Sequence, residues 1–528
     1  MEKDVLIIAG AHVLTCDPTN RAGRYDILIR DGSIAGIAPD SATFRAQNPS
    51  ARIIDAQGKL IIPGFVNAHF HSESLLFRFL TEGRHFDLWH KDPALLKGTA
   101  RLVQPSSHDD LRALYLASYF THLKNGTTLV GEFPPCTDPA GIALLAGAIA
   151  RTDVRCVLCL QRSSQVEQAR TDGAELEGFM MNLGPEEEYT VYSIGATLRA
   201  AREGTMPVLA HCGERRESAD AIRKNFQKNI GQVLKDLGAL RPETALAHLN
   251  HAAEPDLDTV EASGSSVILC PRSAAQKQTG YPSLRHLAYR SIRLAIGTDW
   301  AQTDMLSELR FLAQLPLLVP SVPVYSPVEL LRMATINGAA SLGVAGRTGS
   351  LEPGKRADMV FFSLKSLRTP ALPPSPRARD LASLVVHHLG SGEITDVMIR
   401  GQFCVNGGQL ATIVEDDVVQ GFRTLRDQYV PGQAAGSSPG ENAKALRADY
   451  GRPAKIIPLV SREHMILSEE EGFEEGFSVL GPEEPGPVPL RRPEPTAART
   501  VTEPPPVPEI RTELPKDVRR VFGDEEDL

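Results

Sequence analysis

The sequence is short of cysteine, of net positive charge and of long apolar runs, and each shortage narrows the reading. Seven cysteines (Cys16, Cys136, Cys156, Cys159, Cys212, Cys270 and Cys404) are scattered over 528 residues. An odd count at wide spacing gives no disulfide framework and fits a reducing compartment. No apolar run reaches the ~20 residues of a membrane span. Met1-Glu2-Lys3-Asp4 leads into a short apolar run ending near His12. That run lacks the basic start and the cleavage site of a signal peptide, so it reads as a strand and the cytoplasm is the expected location. A net charge of -9 and a pI near 5.9 argue against a nucleic-acid surface and name no substrate.

What is present is ample for a large globular protein. One eightfold α/β barrel takes about 250 residues, so 528 leave room for a second, smaller unit. Residues 1–62 read as strands, among them Val5-Leu6-Ile7-Ile8 and Asp26-Ile27-Leu28-Ile29, with Asp31-Gly32 as a hairpin turn. Residues 63–344 alternate short apolar strands with helical segments, the pattern of βα units. Eight strands are expected near 65–71, 127–133, 154–160, 189–193, 206–211, 244–248, 266–270 and 294–299. Helices are expected to open at Ser107-x-x-Asp110 and at Ser326-Pro327-x-Glu329. Residues 345–431 return to strands, such as Asp358-Met359-Val360-Phe361-Phe362, which are expected to pair with those of residues 1–62. Residues 432–528 are rich in Gly, Ser, Pro and Glu, a tail expected to be largely disordered apart from a short helix near Ser461–Glu471.

The chemistry concentrates at strand ends. In Asn67-Ala68-His69-Phe70-His71, alternation aims positions 69 and 71 the same way, and the C-terminal end of a barrel strand is where active sites lie. Alone, such a pair reads more simply as a structural histidine pair. Three further apolar strands end in ligand-type residues: Val208-Leu209-Ala210-His211, Ala245-Leu246-Ala247-His248 and Ile296-Gly297-Thr298-Asp299. Imidazole suits zinc and also iron. The plainer readings are a helix cap for Asp299 and a first-turn acid for Glu214. Cys156-x-x-Cys159 reads as core packing, and His251 as a supporting or surface residue.

Taken in order, these stretches resemble the amidohydrolase superfamily, in the branch of chlorotriazine hydrolases and of cytosine, guanine and S-adenosylhomocysteine deaminases. The resemblance rests on Pro63-Gly64-Phe65-Val66-Asn67-Ala68-His69-Phe70-His71, His211-x-x-Glu214, Ala247-His248, Gly297-Thr298-Asp299, Ala334-Thr335-Ile336-Asn337-Gly338 and Gly349-Ser350-Leu351-Glu352-Pro353-Gly354. It implies a (β/α)8 TIM barrel with a composite β-sandwich from both chain ends. It also implies one divalent metal ion, zinc with iron as the alternative, held by His69, His71, His211 and Asp299. Two-metal relatives carry a carboxylated lysine on strand four, and residues 186–200 contain no lysine, so one ion is expected.

The implied reaction is hydrolysis of a C–N bond, in the form of hydrolytic deamination of an amino-substituted nitrogen heterocycle. Water acidified by the ion attacks, Asp299 takes its proton, His248 polarises the attacked centre and Glu214 protonates a ring nitrogen. The chain departs from the branch where His-Ala-Pro-Tyr is usual: it has Tyr189-Thr190-Val191-Tyr192-Ser193 and no histidine. Cys270-Pro271-Arg272-Ser273-Ala274 and Trp300-Ala301-Gln302-Thr303-Asp304 also depart. Trp89, Tyr192, Arg272 and Trp300 are therefore candidate substrate contacts, with Arg84 and His90 beside them, each weighed against simple loop packing. Amide, guanidine or halide hydrolysis is the alternative chemistry, and a non-catalytic barrel scaffold with an interaction tail is the alternative of another class. A homodimer is the default assembly.

Overall fold

The structure, a computed structural model, describes residues 5–430 except 90, 172–175, 301–302, 319–323, 368, 370 and 371. His90 and the expected tail at 432–528, with its short helix, lie outside the described residues.

Eight parallel strands pair in sequence order: Phe65–Phe70, Thr127–Glu132, Arg155–Leu160, Gly178–Asn182, Val208–Cys212, Thr244–His248, Ser266–Leu269 and Arg293–Ile296. Here they are strands one to eight. Their alternate side chains divide between two cores. Val66, Leu129, Val157, Met180, Leu209 and Ala245 are among those filling the barrel interior. Phe65, Val130, Leu158, Val208, Leu246 and Val267 face the helical layer instead. Both faces are thus covered, which is why these strands read as apolar runs.

Strand four corrects the sequence reading. It is Gly178–Asn182 and not residues 189–193. Tyr189-Thr190-Val191 has strand-like composition, but Thr190 caps the helix Val191–Glu203: its hydroxyl accepts from the Ser193 N–H and the Ser193 hydroxyl accepts from the Thr190 N–H, both at 3.0 Å. This reciprocal cap outweighs β propensity. The expected Ser326–Glu329 box is present, whereas Ser107 precedes helix His108–Lys124 without a side-chain cap.

The second sheet has nine strands drawn from both chain ends, joined where Lys59–Pro63 pairs antiparallel with Met359–Ser363. Asp31 and Gly32 turn the Ala22–Arg30/Ser33–Ala38 hairpin with φ of 52° and 75°, the two positive values that such a tight turn needs. Along the joining strand Met359 and Phe361 enter the sheet's own core with Leu6, Ile8 and Ile27, while Val360 and Phe362 pack toward the barrel helices. One short helix, Ala42–Gln47, interrupts a stretch expected to be all β. All seven cysteines are buried free thiols. Among the described residues no helix is long and apolar enough to cross a membrane.

Candidate active site

The barrel closes where strand eight meets strand one, and that seam builds the site. The Asp299 N–H donates to the His69 carbonyl at 2.8 Å. Asn67, fully buried, donates to the Thr298 hydroxyl at 2.7 Å, accepts the Thr298 N–H at 2.9 Å and meets His122 Nε2 at 3.1 Å. Gly297 permits the close approach, since a Cβ there would lie 2.6 Å from the Cβ of His69. A register shift between Asn67 and Phe70 breaks the strand-one alternation: Ala68 packs inside the barrel, and the His69 ring also turns into its mouth. His248 ends strand six at φ 79°, and Asp299, three residues past strand eight, has φ 50°. Left-handed backbone costs roughly 1–3 kcal/mol at such residues and tends to persist at functional sites.

Four imidazoles and one carboxylate converge. His69, His71 and His211 offer ligand atoms within 4.8 Å of one another, and so do His69, His248 and Asp299. Asp299 Oδ1 lies 3.7 Å from His69 Nε2 and 3.5 Å from His71 Nε2. The sequence set of His69, His71, His211 and Asp299 is therefore brought together, with His248 at its edge. A cation fits this set on two counts. His69 Nδ1 and Nε2, His211 Nδ1, His248 Nε2 and Asp299 Oδ1 are buried without a hydrogen-bond partner, a cost that coordination would offset. The protonation states of His69 and His211 also suit a metal, whereas burial would lower His71 but Glu73 and Asp299 raise it, so it would have to give up its proton on coordination. Burial and neighbouring imidazoles push His69 far down and His211 to about 3, the neutral ligating form. Burial would raise Asp299, but the Lys277 ammonium and the histidines hold it well below the usual carboxylate range.

Lys277 is the residue that sequence reasoning missed. Its ammonium donates to Asp299 Oδ2 at 2.6 Å and to Glu214 Oε1 at 2.7 Å, and the lysine is buried. It ends the helix Pro271–Lys277, one turn after Ser273, whose hydroxyl donates to the same Asp299 oxygen at 2.7 Å. Residues four apart share a helix face, so the pair reaches Asp299 together. Glu214 Oε2 stands 3.9 Å from His248 Nε2. Burial opposes ionisation of Glu214, yet Lys277 and His248 keep it a carboxylate at neutral pH.

Two further buried acids support these groups. Glu186 accepts the N–H groups of Gly213 and Glu214 at 2.8 and 3.2 Å, and burial lifts it to about 7. Glu132 accepts the Ser72 N–H at 3.1 Å just past His71 and is pushed by burial to about 8.

A cavity of about 760 Å³ opens over the cluster, lined by His71, His211, Glu214, Lys277, Asp299 and Trp300 among others. The candidate contacts divide. Trp300 lines the cavity, and Trp89 is buried behind it at a ring distance of 5.2 Å. Tyr192 does not reach the cavity: it is 71% exposed on the first turn of its helix, because its segment is a helix start and not a strand end. Arg272 also lies off the cavity lining, with its guanidinium 3.8 Å from the buried Glu308. Arg84 is bonded to Asp92 and the Leu80 carbonyl, and His251 Nε2 lies 2.6 Å from the Thr279 carbonyl.

Comparison with known proteins agrees with this geometry. Residues 60–404 match the Amidohydrolase family. A 5-methylthioadenosine/S-adenosylhomocysteine deaminase of Desulforudis audaxviator is 26% identical over 448 residues, covering 80% of this chain and 98% of that protein. Among solved structures, an adenosine deaminase from Xanthomonas campestris with bound zinc superposes with a TM-score of 0.70 at 22% identity, over 80% of this chain and 98% of the other. The atrazine chlorohydrolase of Arthrobacter aurescens complexed with zinc gives 0.70 at 20%, over 80% and 100%. The chain belongs to the amidohydrolase family, a (β/α)8 barrel carrying a separate mixed sheet, and is a hydrolase acting on carbon–nitrogen bonds.

Proposed function

We propose that this chain is a mononuclear metal-dependent aminohydrolase that releases ammonia from an amino-substituted nitrogen heterocycle. The observation that carries the reading is a half-buried carboxylate, Glu214, set beside a cluster of ligand atoms that lack partners at the floor of a small-molecule-sized cavity. His69, His71, His211 and Asp299 would hold the ion. Zinc is the preferred metal because two of the similar solved structures contain it. When bound, such an ion supplies the Lewis acidity that makes water nucleophilic near neutral pH.

The chain's own groups manage the protons. Lys277 keeps Glu214 ionised, so Glu214 begins as an acceptor. It takes one proton from the attacking water and passes it to the ring nitrogen beside the attacked carbon. Asp299 takes the second proton and delivers it to the departing amine, completing ammonia. His248, 3.9 Å from Glu214, donates to the oxygen added at that carbon. The named relatives point to a purine-type ring as the first substrates to try. Deamination is preferred over halide displacement because an amine must leave with a proton, which Asp299 can deliver, and because the similar protein of Desulforudis audaxviator is a deaminase. A homodimer in the cytoplasm is the proposed working state.

The test is ammonia release across a panel of aminopurines, adenosine-type nucleosides, pterins and aminotriazines, with E214Q as control. E214Q should retain its metal and lose roughly 10²–10⁴-fold in kcat. Unchanged turnover in E214Q, or product from the panel without ammonia, removes this reading.

A further inference from the structure

Most of the polar groups around the candidate site are accounted for as ligands, acids or their backbone supports. Lys277 is not. The ammonium sits in a cage of four groups from three different loops: Asp299 at 2.6 Å, Glu214 at 2.7 Å, the Phe86 ring centroid at 4.8 Å and the Trp89 centroid at 5.9 Å. Phe86 and Trp89 come from the segment after strand one, Glu214 follows strand five and Asp299 follows strand eight. Phe86 is gripped from a second cation as well, since the Arg215 guanidinium is 5.4 Å from its ring. Arg215 also pairs with Asp87 at 3.1 Å and with Glu187, tying the same segment to the loop after strand four.

We propose that Lys277 is a positioning residue that clamps Glu214 and Asp299 at a fixed separation and fastens the aromatic segment Phe86–Trp89 over them. The division of oxygens supports this. Lys277 and Ser273 occupy Asp299 Oδ2, which leaves Oδ1 facing the histidines. Lys277 takes Glu214 Oε1, which leaves Oε2 toward His248 and the cavity. Each carboxylate therefore keeps one oxygen for work and has the other held. Without the cation, the buried carboxylate of Asp299 and the half-buried one of Glu214 would face each other across the vacated space and turn apart. A lysine suits the role because its compact ammonium can satisfy two carboxylates and two ring faces at once.

The kinetic arm of the test rests on the deaminase reading, and the spectroscopic arm does not. The chain has two tryptophans, and both stand here: Trp89 over Lys277, and Trp300 at 5.2 Å from Trp89. Intrinsic tryptophan emission therefore reports this corner alone. Zinc-loaded full-length wild type, K277M, K277R and E214Q/K277M are compared. K277M should lose roughly 10²-fold in kcat with KM within about threefold, because the groups it misplaces act on protons and not on binding. K277R, which restores the charge on a different fork, should recover about tenfold. K277M should cost less in the E214Q background than in wild type, because the share of its effect that runs through Glu214 is already gone while the share that runs through Asp299 remains; equal losses in the two backgrounds would count against the contact with Glu214. K277M emission, read without substrate, should differ from wild type. Wild-type kcat in K277M overturns the clamp whatever the emission, and unchanged emission overturns it whatever the kinetics. If K277M does not fold, K277R with wild-type kcat and emission settles against it, since a guanidinium cannot reproduce the ammonium's contacts. A wild type that releases no ammonia from any substrate sinks the deaminase reading, while the emission comparison still decides the place of Lys277.

Discussion

Replacing Asn67 by leucine tests the seam that brings strands one and eight together. The side chain has no exposure and makes three polar contacts, to the Thr298 hydroxyl, the Thr298 N–H and His122 Nε2. Leucine is of similar size, so little cavity term arises, but three buried polar groups lose their partner. At about 1 kcal/mol each, the loss is about 3 kcal/mol, a large part of the ~5–15 kcal/mol that holds a typical domain. The seam also fixes the His69 backbone to Asp299, so N67L should bind zinc more weakly as well. The assay is urea unfolding followed by circular dichroism, with zinc titrated calorimetrically into wild type and variant. A midpoint that falls at unchanged m is read as lost stability. A loss under about 1 kcal/mol with wild-type zinc affinity would refute the argument that the Asn67–Thr298 pair sets the register of the site.

Other outcomes follow from the same structure. Zinc in hundredfold excess over its dissociation constant should stabilise the wild type by about 2.7 kcal/mol, seen as a higher thermal midpoint, and should leave D299A nearly unmoved. Glu308 is fully buried and lifted to about 8 by burial, against the opposing pull of Arg272. A raised acid contributes stability that is complete below its unfolded value of 4.5 and is lost as pH climbs through about 8. Denaturation midpoints of E308Q should therefore fall less than wild type between those pH values, and parallel curves would count against the assignment. Y192A should leave KM unchanged and stability within about 0.5 kcal/mol, because that ring is largely in solvent. A several-fold rise in KM would return Tyr192 to the pocket.

Seven of the eight barrel strands were legible because each is a short apolar run buried on both faces, and the candidate ligands were legible because polar residues end those runs. Strand four was not. Phe179, Met180 and Met181 carry little β signal, while Tyr189-Thr190-Val191 carries much and is overruled by a two-way helix cap. Orientation was likewise hidden: nothing in the composition of Cys270-Pro271-Arg272 says that Arg272 turns to Glu308 and leaves the cavity. Lys277 had one readable sign, its place four residues after Ser273, but that sign gains meaning only when both reach the same oxygen of Asp299. Glu186 gave no sign in Pro185-Glu186-Glu187-Glu188, where only its contacts with the Gly213 and Glu214 N–H groups set it apart from its neighbours.

The most direct measurement is anomalous diffraction at the zinc edge from crystals of the zinc-loaded protein, paired with metal analysis of the same sample. One ion per chain, bonded to His69, His71, His211 and Asp299, is the expected result. Density for two ions, or for one bound elsewhere while the four side chains stay as they are here, would contradict it.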